Sequence, residues 1–103
     1  MGRSVLIVKV RFYTILREIA GSREEELTTK EDLTLADLIE VIASKYKNAR
    51  KYLYQKGEVR KTEPSIYFLI NGRNSRSLSG LHTKLQNNDV IEIIPVRRIV
   101  GGG

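Results

Sequence analysis

The chain has 103 residues, with no Cys, no Trp and a single His, and its 18 Lys+Arg outnumber its 12 Asp+Glu for a net charge of +6. That length fits one domain with a modest core, and the cysteine count excludes a disulfide scaffold, a thiolate zinc site, a thiol nucleophile and a redox thiol pair. No apolar run approaches the ~18 residues of a membrane span, and the opening run Val5–Val8 is too short for a signal peptide, so the expectation is a cytoplasmic protein with no membrane partner.

Residues 5–12 (VLIVKVRF) alternate apolar and charged positions and predict a strand with one buried face. Residues 14–20 switch to helical spacing, with Gly21 as a left-handed C-terminal cap. Residues 23–29 predict a second, polar strand at an edge or in a hairpin return. The strongest element is a helix opening at Thr34: Asp37 three residues on completes a capping box, and Leu33 with Leu38 forms a hydrophobic staple. Leu35, Leu38, Ile39, Ile42, Ala43 and Tyr46 then recur at three-four spacing. Residues 48–65 are basic and interrupted by Gly57 and Pro64, and are read as a fraying helix end followed by an irregular insertion. Residues 66–70 (IYFLI) are a short apolar strand, and Asn71-Gly72 is a hairpin turn. Leu78, Leu81 and Leu85 anchor a polar loop onto the core, Asn87-Asn88-Asp89 makes a turn, and residues 90–96 form the last strand. The order of elements is that of an α+β fold, in which the first and last strands pair at the centre of the sheet.

The positive charge is local. Residues 45–61 hold seven Lys/Arg and one Glu, whereas residues 18–40 hold eight acids against Arg23 and Lys30. A basic stretch with interleaved Tyr46, Tyr52 and Tyr54 suits nucleic acid, but a solvated face with inward-packed rings is the favoured reading. His82 and the run Glu24-Glu25-Glu26 are assigned no catalytic role; adjacent Glu in a strand point to opposite faces and cannot converge. No metal or cofactor site is expected on the chain itself.

The C-terminus differs in kind from everything before it. Gly101-Gly102-Gly103 offers no side chains to pack but permits close backbone approach in a narrow channel. The seven residues Arg97–Gly103 span at most ~23–25 Å when extended, enough to carry a carboxylate into a partner's active site. A carboxylate must be activated before it accepts a nucleophile, and the chain has no phosphate-binding loop, so activation falls to a partner. A frayed tail that adds nothing is the alternative reading.

The stretch Val8–Gly21, with Phe12, Tyr13, Arg17, Glu18, Ile19 and Gly21 in place, resembles the opening of the small subunit of molybdopterin synthase, and more widely the ubiquitin-like sulfur carriers. Leu33-Thr34-Leu35-x-x-Leu38, Ile70-Asn71-Gly72 and Leu85-x-x-x-Asp89-x-Ile91-x-x-x-Pro95, closed by glycines, are similar to later segments of that family. Asn88 stands where the family has Gly, Val96 replaces its second Pro, three residues more than usual lie between Pro95 and the end, Arg97-Arg98 brings the tail nearer a ubiquitin type, and residues 48–64 have no counterpart. The resemblance implies a ubiquitin-like β-grasp fold over residues 1–96, with a mixed four- to five-stranded sheet on one main helix and a tail at 97–103. It also implies that the Gly103 carboxylate is adenylated with ATP by an E1-like adenylating enzyme and becomes a thiocarboxylate. Gly101, Gly102, Arg97 and Arg98 would lie in the partner's channel, and a pterin precursor bound on the large subunit of molybdopterin synthase would receive the sulfur. The alternative is a modifier joined through its terminal glycine to lysines of target proteins. Strand alternation places Tyr13, Tyr67, Leu69 and Ile94, with Arg11 beside them, on the outward face of the sheet as a candidate partner surface.

Overall fold

The computed structural model of the chain describes residues 5–54 and 66–96. Its first strand, β1 (Val5–Phe12), turns Val8, Val10 and Phe12 into the core and leaves Arg11 exposed, as the alternation requires. A short helix, α1 (Ile15–Ala20), stops at Gly21, whose φ of 78° is left-handed and whose N–H donates to the Arg17 carbonyl at 2.9 Å. β2 (Glu24–Lys30) returns antiparallel to β1 and forms one edge of the sheet.

α2 (Leu35–Lys45) starts as its sequence specifies. The Thr34 hydroxyl accepts from the Asp37 N–H, and the Asp37 carboxylate accepts from the Thr34 N–H, both at 3.1 Å. Leu35, Leu38, Ile39, Ile42 and Ala43 are buried, with Leu33 before the cap buried beside them. The helix end does not fray. A 3-10 turn at Lys47–Ala49 leads into α3 (Arg50–Leu53), which buries Ala49, Leu53 and Tyr54. The cause is a second apolar spacing, Ala49 to Leu53, hidden among lysines and arginines. Polar bonds fix it: Arg50 and Tyr54 donate to the Glu40 carboxylate at 2.8 Å each. These donors, with Arg50 the largest influence, hold the Glu40 carboxyl down at about 2. Tyr46 and Tyr52 also pack against the core. The remainder of the basic insertion, residues 55–65, lies outside the described residues.

β3 (Ile66–Ile70) and β4 (Arg73–Asn74) are joined by Asn71 and Gly72, with φ of 52° and 84°; two successive positive values are what a tight hairpin requires. The loop that follows holds two 3-10 turns, Ser75–Ser77 and Gly80–His82, and seats Leu85 in the core with Leu78 and Leu81 against it. His82 is exposed. The last strand, β5 (Val90–Pro95), lies parallel to β1 and antiparallel to β3, giving the order β2-β1-β5-β3-β4. The turn before β5 sets its register. The Asn87 side chain accepts from the Ile7 N–H at 2.8 Å, the Asn88 N–H donates to the Ile7 carbonyl at 2.7 Å, and Asn71 bonds both Asp89 and Val90. A five-stranded mixed sheet wrapped on one principal helix is the ubiquitin-like β-grasp arrangement.

Candidate functional site

Because β5 occupies the middle of the sheet, the C-terminal segment leaves from its centre and not from an edge. Pro95 ends the strand and Val96 is 40% exposed beside it. Gly101, Gly102, Gly103, Arg97 and Arg98 lie outside the described residues.

The outward face of the sheet leads to this exit. Tyr67 on β3 stands directly opposite Ile94 on β5, and Leu69 stands opposite Glu92. Tyr67 is exposed, Leu69 and Ile94 are half-buried, and all three alternate with core residues on the other face. An apolar strip thus runs along β3 and β5 to Val96. Tyr13 joins it from the turn after β1. Its hydroxyl donates to the Glu92 carboxylate, and that hydrogen bond, with some desolvation, raises the phenol above its ordinary value. The Arg17 guanidinium lies 5.6 Å from the Tyr13 ring centre and its Nε donates to the Phe12 carbonyl at 3.3 Å. The structure therefore brings Tyr13, Tyr67, Leu69 and Ile94 onto one face. Arg11 shares that face but is held off the strip: it pairs with Glu24 at 3.1 Å, and Glu92 stands between it and Leu69. Lys9 joins the same acid at 3.5 Å, and these bases lower the Glu24 carboxyl, Arg11 chiefly.

Two features of this region escape sequence reading. Arg76, from the loop after β4, lies 5.0 Å from the Tyr67 ring centre and frames the strip; a contact between a loop and a strand has no local signal. Thr14, between β1 and α1, has φ 54° and ψ −127°. Such a conformation costs a β-branched residue about 1–3 kcal/mol. Thr14 lines a cleft of about 550 Å³ with Ile15, Tyr52, Pro95 and Val96, so the strained turn adjoins the point where the chain leaves the sheet.

The acidic run does not form a catalytic pair. Glu24 and Glu26 are exposed, while Glu25 turns the other way and accepts from Lys45 and Tyr46 at the end of α2. Among the described residues, no group of three His, Asp or Glu converges as a metal site, and no helix is long and apolar enough to cross a membrane.

Comparison with known proteins agrees with this fold. The structure superposes on that of small archaeal modifier protein 1 from Methanosarcina acetivorans with a TM-score of 0.79 at 34% identity, covering 97% of this chain and 99% of that one. It matches a candidate molybdopterin converting factor subunit 1 from Pyrococcus furiosus with a TM-score of 0.72 at 25% identity, over 89% and 99% of the two chains. A candidate sulfur carrier protein of Archaeoglobus fulgidus is 35% identical over 74 residues, which is 71% of this chain and 77% of that protein. Residues 10–103, a span that takes in the terminal glycines, match the ThiS family model, and the chain belongs to the ThiS family of ubiquitin-like sulfur carriers and modifiers.

Proposed function

We propose that the chain is a cytoplasmic sulfur carrier whose reactive group is the carboxylate of Gly103. The observation that supports this most directly is the central, parallel placement of β5, which delivers a glycine-ended segment from the middle of an apolar face. A carboxylate oxygen attacks the α-phosphorus of ATP held by an E1-like adenylating enzyme, and pyrophosphate leaves. A sulfide-level sulfur nucleophile then attacks the acyl carbon and AMP departs, giving a thiocarboxylate. The strip of Tyr13, Tyr67, Leu69 and Ile94 docks on the partner, Arg11 steers from its margin, and Arg97 and Arg98 with Gly101 and Gly102 thread the channel. The chain supplies the acyl group and the docking surface; ATP is bound by the partner.

The acceptor we favour is a pterin precursor on the large subunit of molybdopterin synthase. The likeness to the Pyrococcus furiosus protein supports this choice. Conjugation to lysines of target proteins is the second reading, favoured by the likeness to the Methanosarcina acetivorans modifier and by the lengthened tail with Arg97-Arg98. Both readings require activation. ATP–pyrophosphate exchange by the activating enzyme should depend on the chain and vanish when Gly102 and Gly103 are deleted. Exchange that is unaffected by the deletion overturns both.

A further inference from the structure

The opposite side of the molecule carries a second opening that the tail chemistry does not use. β2 is an edge strand, and among the described residues nothing pairs with its outer side. The Phe12 N–H donates to the Arg23 carbonyl, which puts Arg23 in a hydrogen-bonded pair with β1. Alternation along an antiparallel ladder then turns the backbone groups of Glu24, Glu26, Thr28 and Lys30 toward the open edge. Between that edge and α2 lies a cleft of about 490 Å³, floored by Leu33 and walled by Thr28, Ala36, Asp37, Glu40 and Val41. Among the described residues, Val41 is one of four large apolar side chains left exposed, at 37%. Acids outnumber bases around it: Asp37 and Glu40 stand on the helix wall, Glu40 already paired with Arg50, Lys30 lines the strand side, and Glu26 and Glu31, exposed and in no ion pair among the described residues, bracket the strand segment.

We propose that this cleft receives the C-terminal segment Arg97-Arg98-Ile99-Val100 of a second copy of the chain, added to β2 as a sixth strand. An added strand supplies the backbone hydrogen bonds that an edge lacks, and its alternate side chains fill the flanking pocket. In an extended segment Arg97 and Ile99 point one way, and Arg98 and Val100 the other. Each face therefore offers one cation and one β-branched apolar group. One pair meets Val41, Ala36 and the helix acids; the other meets Glu26 on the outer face. The segment 97–100 cannot reach the cleft of its own chain. Thr28 and Thr29 lie level with Ile7 and Leu6, whereas Pro95 lies two residues beyond the level of Phe12. That separation is ~25 Å along the strands at ~3.3 Å per residue, while residues 97–100 extend at most ~14 Å. Docking is thus between molecules, and it holds the tail away from any activating partner. The inference does not depend on what the terminal carboxylate carries.

The test uses the full-length ¹⁵N-labelled chain and a synthetic Arg-Arg-Ile-Val-Gly-Gly-Gly peptide. Saturable amide shifts are expected across residues 26–31 and 36–41, with affinity about tenfold weaker or worse in Val41→Lys and Glu26→Lys chains whose thermal midpoints are unchanged. The same amides should shift with protein concentration in the unmodified chain, and not in the Ile99→Ser/Val100→Ser variant. Absence of peptide shifts, shifts confined to the Tyr13–Tyr67–Ile94 face, or concentration dependence that survives Ile99→Ser/Val100→Ser overturns the proposal, the last because it indicates edge-to-edge pairing of β2.

Discussion

The two faces of the central sheet carry similar apolar residues to different ends. On the inner face Val8, Val10, Ile91 and Ile93 are wholly buried beneath a helix that is capped at Thr34 and stapled at Leu33. On the outer face Ile94, on the same strand as Ile91 and Ile93, is half-buried, and Tyr67 on β3 and Val96 just past β5 remain exposed. The inner residues are explained by folding, because removing them from water is what holds the sheet to α2. Folding gives no reason for the outer ones. An apolar strip left accessible among the described residues is the kind of surface that the proposed docking would use, and here it leads to the end of the strand from which the tail departs.

The contrast can be broken by substitution. Ile91→Ala should cost about 3–5 kcal/mol, because the site lies at full burial where little can collapse into the cavity; denaturant unfolding would read this. The paired outer-face change Tyr67→Ala/Ile94→Ala should cost far less stability, about 1 kcal/mol, yet should abolish chain-dependent ATP–pyrophosphate exchange. Equal stability losses at the two sites would erase the distinction. Thr34→Ala removes the acceptor for the Asp37 N–H and should cost about 1 kcal/mol.

Thr14→Gly should act in the other direction, raising stability by about 1 kcal/mol through relief of the positive φ. A loss of stability would show that the Thr14 side chain contributes more than its backbone strain costs. The smallest effect is at Glu40. Its carboxyl is held at about 2 against an ordinary 4.5, so the paired form stabilises the fold above the ordinary value. That contribution falls away as pH drops from about 4.5 through about 2. The group is nearly half exposed, so solvent screening leaves about 0.5–1 kcal/mol at neutral pH. Glu40→Gln should show that deficit at pH 7 and none below pH 2.

Much of this architecture was legible in the sequence, because its signals are local. The capping box, the three-four stripe of α2, Gly21 as a left-handed cap and the Asn71-Gly72 hairpin each follow from neighbours within a few residues. Strand alternation was enough to gather Tyr13, Tyr67, Leu69 and Ile94 onto one face. Signals spread across the chain were not legible. α3 looked like a frayed end because Ala49 and Leu53 are outnumbered by cations, of which Arg50 finds Glu40 only in three dimensions. Arg11 was legible as a charge beside the strip, but its ion pair with Glu24, thirteen residues away, was not. The strain at Thr14 is invisible in composition, since a threonine gives no notice of a positive φ.

The central claim is that the reactive group of this protein is its own end. Intact mass measurement of the chain purified from its native cells tests it most directly. The account predicts a population heavier by the difference between sulfur and oxygen, with the change confined to the peptide ending in Gly103. A terminus that is always a plain carboxylate, in cells where the chain is expressed and its activating enzyme is present, would contradict it.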